Sequence, residues 1–172
     1  MSITNNQSNI LNQNIGIAGC GEMGYPMLKM LLQNNINATG HDVKASENFK
    51  DFGEKYIPSK SDFFLKNNVV LSIVRDTKET EDLLIKNNAL LSKKHVTILI
   101  CSTLPITYIK KLKKNLPEHF RLIDTPMSGS TIKAKEGTLT FMVGGKNDEV
   151  LNIMPLLNLS LIHISEPTRL GA

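Results

Sequence analysis

Residues 14–27 read NIGIAGCGEMGYPM, an apolar run followed by glycines at 19, 21 and 24 and then by apolar residues at helical spacing. No other feature constrains the fold as strongly, because a strand that turns through G-x-G-x-x-G into a helix belongs to a parallel α/β sheet that cradles a dinucleotide. Each glycine has its own duty in that turn. Gly19 makes the tight bend, Gly21 lets a pyrophosphate approach bare backbone, and Gly24 brings helix and strand together. Met23, Met27, Met30 and Leu31 recur at helical spacing behind it, and Pro26 is tolerated because it falls in the helix's first turn. The N-terminus of such a helix offers free N–H groups and a partial positive charge. The glycines alone are weak evidence, since they also mark ordinary turns, so the context decides.

That context repeats along the chain. Apolar runs at 15–18, 38–41, 69–74, 96–100, 122–124 and 140–143 alternate with helix-periodic segments, which predicts an α/β fold: a doubly wound, mainly parallel sheet in a single domain. VVLSIV and VTILI have the almost unbroken apolarity of strands buried on both faces. Asp76 and Glu79 are spaced as a helix N-cap with its reciprocal acid. A last helix is expected from near Asn147, with Val150, Ile153, Met154 and Leu157 facing inward and a kink at Pro155. Asp42 closes the second run at the spacing, roughly 20 residues on, where an acid accepts hydrogen bonds from an adenosine ribose. A plain turn residue is the alternative. A carboxylate there would repel a ribose 2′-phosphate, which favours NAD, while Lys44 leaves NADP open.

Composition excludes several classes of function. The 172 residues, 41% of them hydrophobic, suffice for one well-buried core. A net charge of +4 is too mild to argue for nucleic acid, and its one cluster, KKLKK at 110–114, reads as the solvated side of a helix that buries Ile106, Ile109, Leu112 and Leu116. Two cysteines in apolar surroundings suggest a reducing compartment, and with no apolar run near the roughly 20 residues of a membrane span the expectation is a cytoplasmic protein without membrane contact. Residues 1–13 are polar and Asn-rich and read as a disordered leader lacking the marks of a targeting signal.

The run DTPMSGSTIKAKEGTLTFMVGG at 124–145, together with IGIAGCGEMGYPM and CSTLP at 101–105, resembles the β-hydroxyacid dehydrogenase family. That family includes 3-hydroxyisobutyrate dehydrogenase and is related to 6-phosphogluconate dehydrogenase. The likeness spans about 14–157 and implies a Rossmann-type domain, a nicotinamide cofactor and, in the full-length enzyme, a small 3-hydroxy acid or semialdehyde as substrate in a homo-oligomer. It assigns the cofactor turn to Gly19, Cys20, Gly21, Glu22, Met23 and Gly24, the ribose to Asp42, and a further cofactor loop to Val74, Arg75 and Asp76. Ser102 and Thr103 match the pair beside the nicotinamide, and Ser128, Gly129 and Ser130 match the segment that holds the substrate carboxylate. Helix capping is the structural alternative for Ser102 and Ser128.

Three departures stand out. Ser130 occupies the place of a usual second glycine, Ile100 replaces an acid with Pro105 arriving one residue early, and nothing corresponds to the family's catalytic lysine, which opens an all-helical second domain. The K-x-x-x-N of Lys44 to Asn48 lies on the ribose side, where coincidence explains it. Residues 159–169, LSLIHISEPTR, equal an in-frame translation of a transposase adapter used in preparing DNA for sequencing. The expected organisation is therefore a leader at 1–13, a dinucleotide-binding domain at 14–158 and a non-native tail at 159–172, with the all-α C-terminal domain missing. His163 accordingly has no catalytic candidacy. Such a chain is expected to bind cofactor without turning over substrate. A non-catalytic nucleotide-binding module is the main alternative; an S-adenosylmethionine-dependent methyltransferase has no use for the 124–145 run.

Overall fold

Four- and five-residue apolar strands pair side by side, all in the same direction. A computed structural model describes residues 9–44, 47–86, 95–160 and 164–165. Strands β1 (Ile15–Ala18), β2 (Ala38–His41), β3 (Val69–Ser72), β4 (Val96–Ile100) and β5 (Phe120–Asp124) lie in the order β2-β1-β3-β4-β5, with every pairing parallel. Beyond β2, Tyr56 adds one parallel bridge to Gly40, and the Ile57 N–H donates to the Gly40 carbonyl at 2.8 Å. With that bridge as a strand reduced to one residue, the order becomes the 3-2-1-4-5-6 of dinucleotide-binding folds. The reduction has a local cause. Residues Glu47–Lys55 wind through 3-10 turns broken at Gly53, whose φ is 51°, so only their exit reaches the sheet edge.

Alternate side chains of each strand enter opposite cores. Val69, Leu71, Leu99 and Cys101 pack on one face with helices α1 (Gly24–Gln33) and α6 (Asn147–Ser160), whereas Val70, Ile98 and Ile100 pack on the other with α2 (Lys60–Lys66), α3 (Thr77–Leu84) and α4 (Ile106–Asn115). Phe63 anchors the second core. It is fully buried, meets Phe64 edge-on at 5.3 Å, and leaves no room for a side chain at Gly16, where a Cβ would come within 2.4 Å of its ring. Phe63→Ala should therefore cost about 3–5 kcal/mol in urea unfolding. A loss below about 1 kcal/mol would mean that the ring supports no core.

Several boundaries differ from expectation. The run at 69–74 ends as a strand at Ser72, and the one at 122–124 begins earlier, at Phe120. The larger correction concerns 140–143, expected in the parallel sheet. Its strand β7 (Thr140–Met142) instead lies in a second small sheet, antiparallel to β6 (Met127–Ser128), with β8 (Ile164–Ser165) parallel on its other side. Helix α5 (Thr131–Glu136) has only six residues and stops at Gly137, left-handed at φ 68°, so it returns the chain antiparallel instead of crossing over.

The leader also needs correction where it is described. Asn9 caps a 3-10 turn over Ile10–Asn12, accepting from the Leu11 N–H at 3.2 Å, and Ile10 is 7% exposed in the core beside α6. Residues 1–8 lie outside the described residues, as does most of 159–172. In α6 Ile153, Leu156 and Leu157 are buried, so Leu156 takes the inward place expected of Met154, and Pro155 sits inside the helix. The lysines of 110–114 are all exposed, with Ile109 and Leu112 beneath them. Among the described residues, no helix is long and apolar enough to cross a membrane.

Candidate functional site

The glycine turn occupies the C-terminal edge of the sheet, where the strand order reverses between β1 and β3. Gly19 has φ 95°, donates its N–H to the His41 carbonyl at 2.9 Å, and would place a Cβ 2.8 Å from the Ile73 carbonyl oxygen. At Gly24 a Cβ would stand 1.9 Å from the Gly19 carbonyl oxygen, so only glycine lets α1 start so close to the strand. Gly21 is different in kind. Nothing lies within 4 Å of where its Cβ would be, which leaves open space directly over the backbone. Met23 stands at the N-cap of α1 without a side-chain hydrogen bond; the Tyr25 N–H is taken by the Gly21 carbonyl at 3.0 Å and Pro26 has none, so the donors facing the open space are those of the turn that leads into Gly24. An oxyanion-rich group approaching this backbone meets donors and no obstruction, which fits a pyrophosphate.

Cys20 contributes backbone only. Burial pushes its thiol up to about 12, with the nearby Asp42 carboxylate adding to the rise, and its S–H donates to the Ile17 carbonyl at 3.5 Å. Burial likewise pushes Cys101 up to about 12. Neither thiol should react with iodoacetamide at roughly neutral pH until the chain is unfolded, since the thiolate is the nucleophile. Mass spectrometry of labelled native protein checks this, and a single carbamidomethyl group on either residue contradicts it.

Asp42 follows β2. Its Oδ1 accepts the Lys44 N–H at 2.9 Å, as in an Asx turn, and the residue also lines the groove beside the glycines. The Tyr56 hydroxyl donates to the Asp42 backbone carbonyl at 3.0 Å, with its ring stacked 4.2 Å from Phe49, so the reduced third strand fixes the acid in place. Across the groove, Val74 and Arg75 come from the loop after β3. Arg75 Nε donates to Glu79 Oε1 at 2.9 Å and its backbone N–H to Glu79 Oε2 at 2.8 Å. These bonds hold the Glu79 carboxyl below its ordinary range.

These residues enclose a cavity of about 610 Å³. Gly19, Gly21, Glu22, Asp42, Val74 and Arg75 line it, six positions that the sequence had assigned to the cofactor. Asp76 does not; it caps α3, its Oδ1 accepting the Glu79 N–H at 2.8 Å. The reciprocal acid reaches past it to the Arg75 N–H. His41, Lys60, Glu79 and Leu83 also line the cavity and had not been singled out for it. His41 could have been found, since it immediately precedes Asp42. Lys60 could not, because only the tertiary fold brings it there, with Nζ donating to the Asp82 carbonyl at 2.7 Å.

The remaining assigned residues lie outside this cavity's lining. The Ser102 hydroxyl donates to the Val74 carbonyl, joining the loops after β4 and β3, while Thr103 is exposed. Capping does not explain Ser102, because Pro105 holds the N-cap position of α4. Ser128 ends β6, Gly129 has φ 148°, and Ser130 rather than Ser128 is the cap, accepting the Lys133 N–H at 3.4 Å. All three are exposed. Among the described residues, no three or more His, Cys, Asp or Glu side chains gather as metal ligands.

Comparison with known proteins identifies the family. Residues 14–160 match the family described as the NAD binding domain of 6-phosphogluconate dehydrogenase. Human mitochondrial 3-hydroxyisobutyrate dehydrogenase is 32% identical over 148 residues, which are 83% of this chain and 44% of the human protein. L-threonate dehydrogenase of Cupriavidus necator is 29% identical over 140 residues, 78% of this chain and 47% of that protein. Mycobacterium tuberculosis 3-hydroxyisobutyrate dehydrogenase, solved with L-serine, superposes with a TM-score of 0.81 at 21% identity, over 92% of this chain and 56% of its own. That likeness shows the Rossmann fold. The chain thus spans about half the length of the curated relatives it matches. Within that span the family match runs unbroken from the first strand through the last helix, and the chain belongs to the NAD-binding domains of the 6-phosphogluconate dehydrogenase and β-hydroxyacid dehydrogenase family.

Proposed function

We propose that the 610 Å³ cleft binds NAD in preference to NADP, with the pyrophosphate against Gly21 and the first turn of α1 and the adenosine ribose at Asp42. The observation that carries this is the convergence of the glycine turn, Asp42 and the loop after β3 on one cavity. The Asp42 carboxylate supports NAD, since it offers acceptors to ribose hydroxyls and repels a 2′-phosphate. Lys44 and Arg75 on the same rim are the features that favour NADP, although Arg75 is engaged by Glu79.

The whole enzyme, on this reading, transfers a hydride between the nicotinamide and a small 3-hydroxy acid or its semialdehyde, a substrate class supported by the relatives' names. A bound nicotinamide supplies the hydride acceptor or donor. Ser102 and Thr103 would orient that ring, and Ser128, Gly129 and Ser130 would hold the substrate carboxylate through hydroxyl and N–H donors. Alcohol oxidation also requires a base on the hydroxyl, and no residue of 14–158 matches the family's lysine motif. The 172-residue chain therefore binds cofactor without turnover. Calorimetric titration with NADH and NADPH, alongside an absorbance assay for NAD-dependent oxidation of 3-hydroxyisobutyrate, tests both parts. NADH should bind more tightly than NADPH with no turnover. Absence of any binding at about millimolar nucleotide would remove the cofactor reading.

A further inference from the structure

Two of the buried polar atoms that lack a hydrogen-bond partner among the described residues, His41 Nε2 and Ser72 Oγ, share one row of the sheet. Ala18 pairs with His41 on one side and with Ser72 on the other. Strand alternation turns the row toward the core beneath α2 and α3. Val70, two residues before Ser72, belongs to that core, and the His41 ring lies 5.3 Å from Phe63 within it. The row sits at the C-terminal edge, and His41 lines the cleft with Lys60, Ile73 and Leu83.

The protonation of the ring follows from its one partner. His41 Nδ1 is 2.9 Å from the Ile57 carbonyl oxygen, which can only accept, so Nδ1 carries the hydrogen. In the neutral imidazole Nε2 is then a lone-pair acceptor. His41 is 3% exposed, and a buried acceptor with no donor is unfavourable until a donor arrives. With the pyrophosphate at Gly21 and the ribose at Asp42, the base attached to that ribose falls on the next stretch of the cleft, between His41, Lys60 and Leu83.

We propose that His41 reads the base of the bound dinucleotide, its Nε2 accepting a hydrogen bond from the exocyclic amino group of adenine, so that the cleft selects adenine over 6-oxopurines. This rests on the cofactor reading above and adds specificity to it. Hypoxanthine carries a carbonyl in place of the amino group, setting an oxygen lone pair against Nε2. Discrimination arises from the mismatch, because two acceptors, Nε2 and the carbonyl oxygen, would be left facing each other.

The full 172-residue chain is titrated by calorimetry with NADH and with its hypoxanthine analogue. The wild type should bind NADH at least about tenfold more tightly than the analogue, the effect of one buried donor–acceptor mismatch. His41→Phe should bring the two affinities within about twofold while the urea midpoint shows the variant folded. His41→Gln, whose amide can accept or donate, should bind both. Equal wild-type affinity for the two nucleotides overturns the proposal and leaves the row to a buried water. A preference that survives in His41→Phe overturns the assignment to His41. Failure of the wild type to bind either nucleotide brings down the cofactor reading together with it.

Discussion

Replacing Gly24 by alanine should destabilise the chain by about 3 kcal/mol or more, whereas replacing Gly21 should leave stability within about 0.5 kcal/mol and lower NADH affinity by about 100-fold. The two glycines sit three residues apart in one motif, and the geometry separates their duties. A methyl group at 24 would stand 1.9 Å from the Gly19 carbonyl oxygen, a backbone atom that cannot swing aside, so α1 would have to lift from β1. That displacement opens the core where Met27, Leu28 and Leu31 meet Ile15 and Ile17. At 21 the methyl would meet nothing in the protein. It would instead occupy the space proposed for the pyrophosphate and block a backbone N–H donor to a charged oxygen, worth about 1.5–3 kcal/mol, and about 1.4 kcal/mol is tenfold in affinity. Urea unfolding and NADH calorimetry on both variants separate the cases. Wild-type affinity in a stable Gly21→Ala protein would show that no phosphate rests on that turn.

The contrast also shows how much of this site is legible in the sequence. Strand positions 15–18 and 96–100 coincide with β1 and β4, because a parallel strand buried on both faces leaves a largely apolar run, and 38–41 coincides with β2 although it reads Ala-Thr-Gly-His. The helix cap at Asp76 is equally visible, since it depends on residues three apart. Pairing direction is not local. The run at 140–143 has strand character, yet whether it joins the main sheet depends on the length of α5 and the reversal at Gly137. Ile10 was hidden for a related reason, because an isolated Ile-Leu pair in a polar segment shows no periodicity until α6 covers it.

The cleft divides along the same line. Gly19, Gly21 and Asp42 are readable by spacing, since one turn and one strand separate them. Lys60 reaches the cavity from the start of α2, and Tyr56 steadies the Asp42 carbonyl from the far side of a 3-10 segment. No spacing rule describes either residue. Sequence reading finds groups that one structural unit carries, and misses those that the packing of several units brings together.

Asp42 is where those two kinds of residue meet, and exchanging it should redirect the cofactor preference. In Asp42→Arg the affinity for NADH should fall by about 10- to 100-fold, the loss of carboxylate hydrogen bonds worth about 1.5–3 kcal/mol. The affinity for NADPH should rise, because repulsion of the 2′-phosphate is replaced by a guanidinium able to bind it bidentately. The substitution also releases the Lys44 N–H from Oδ1, at a cost of about 1 kcal/mol in stability. Asp42→Asn separates turn from charge. Its side-chain oxygen still accepts the Lys44 N–H, so the turn persists while the negative charge goes, and NADPH should gain without the full loss for NADH. Salt dependence supplies an independent check, since binding of the 2′-phosphate by arginine should weaken as ionic strength rises. Unchanged NADH affinity in Asp42→Arg would place the ribose elsewhere, for the carboxylate could not then be touching it.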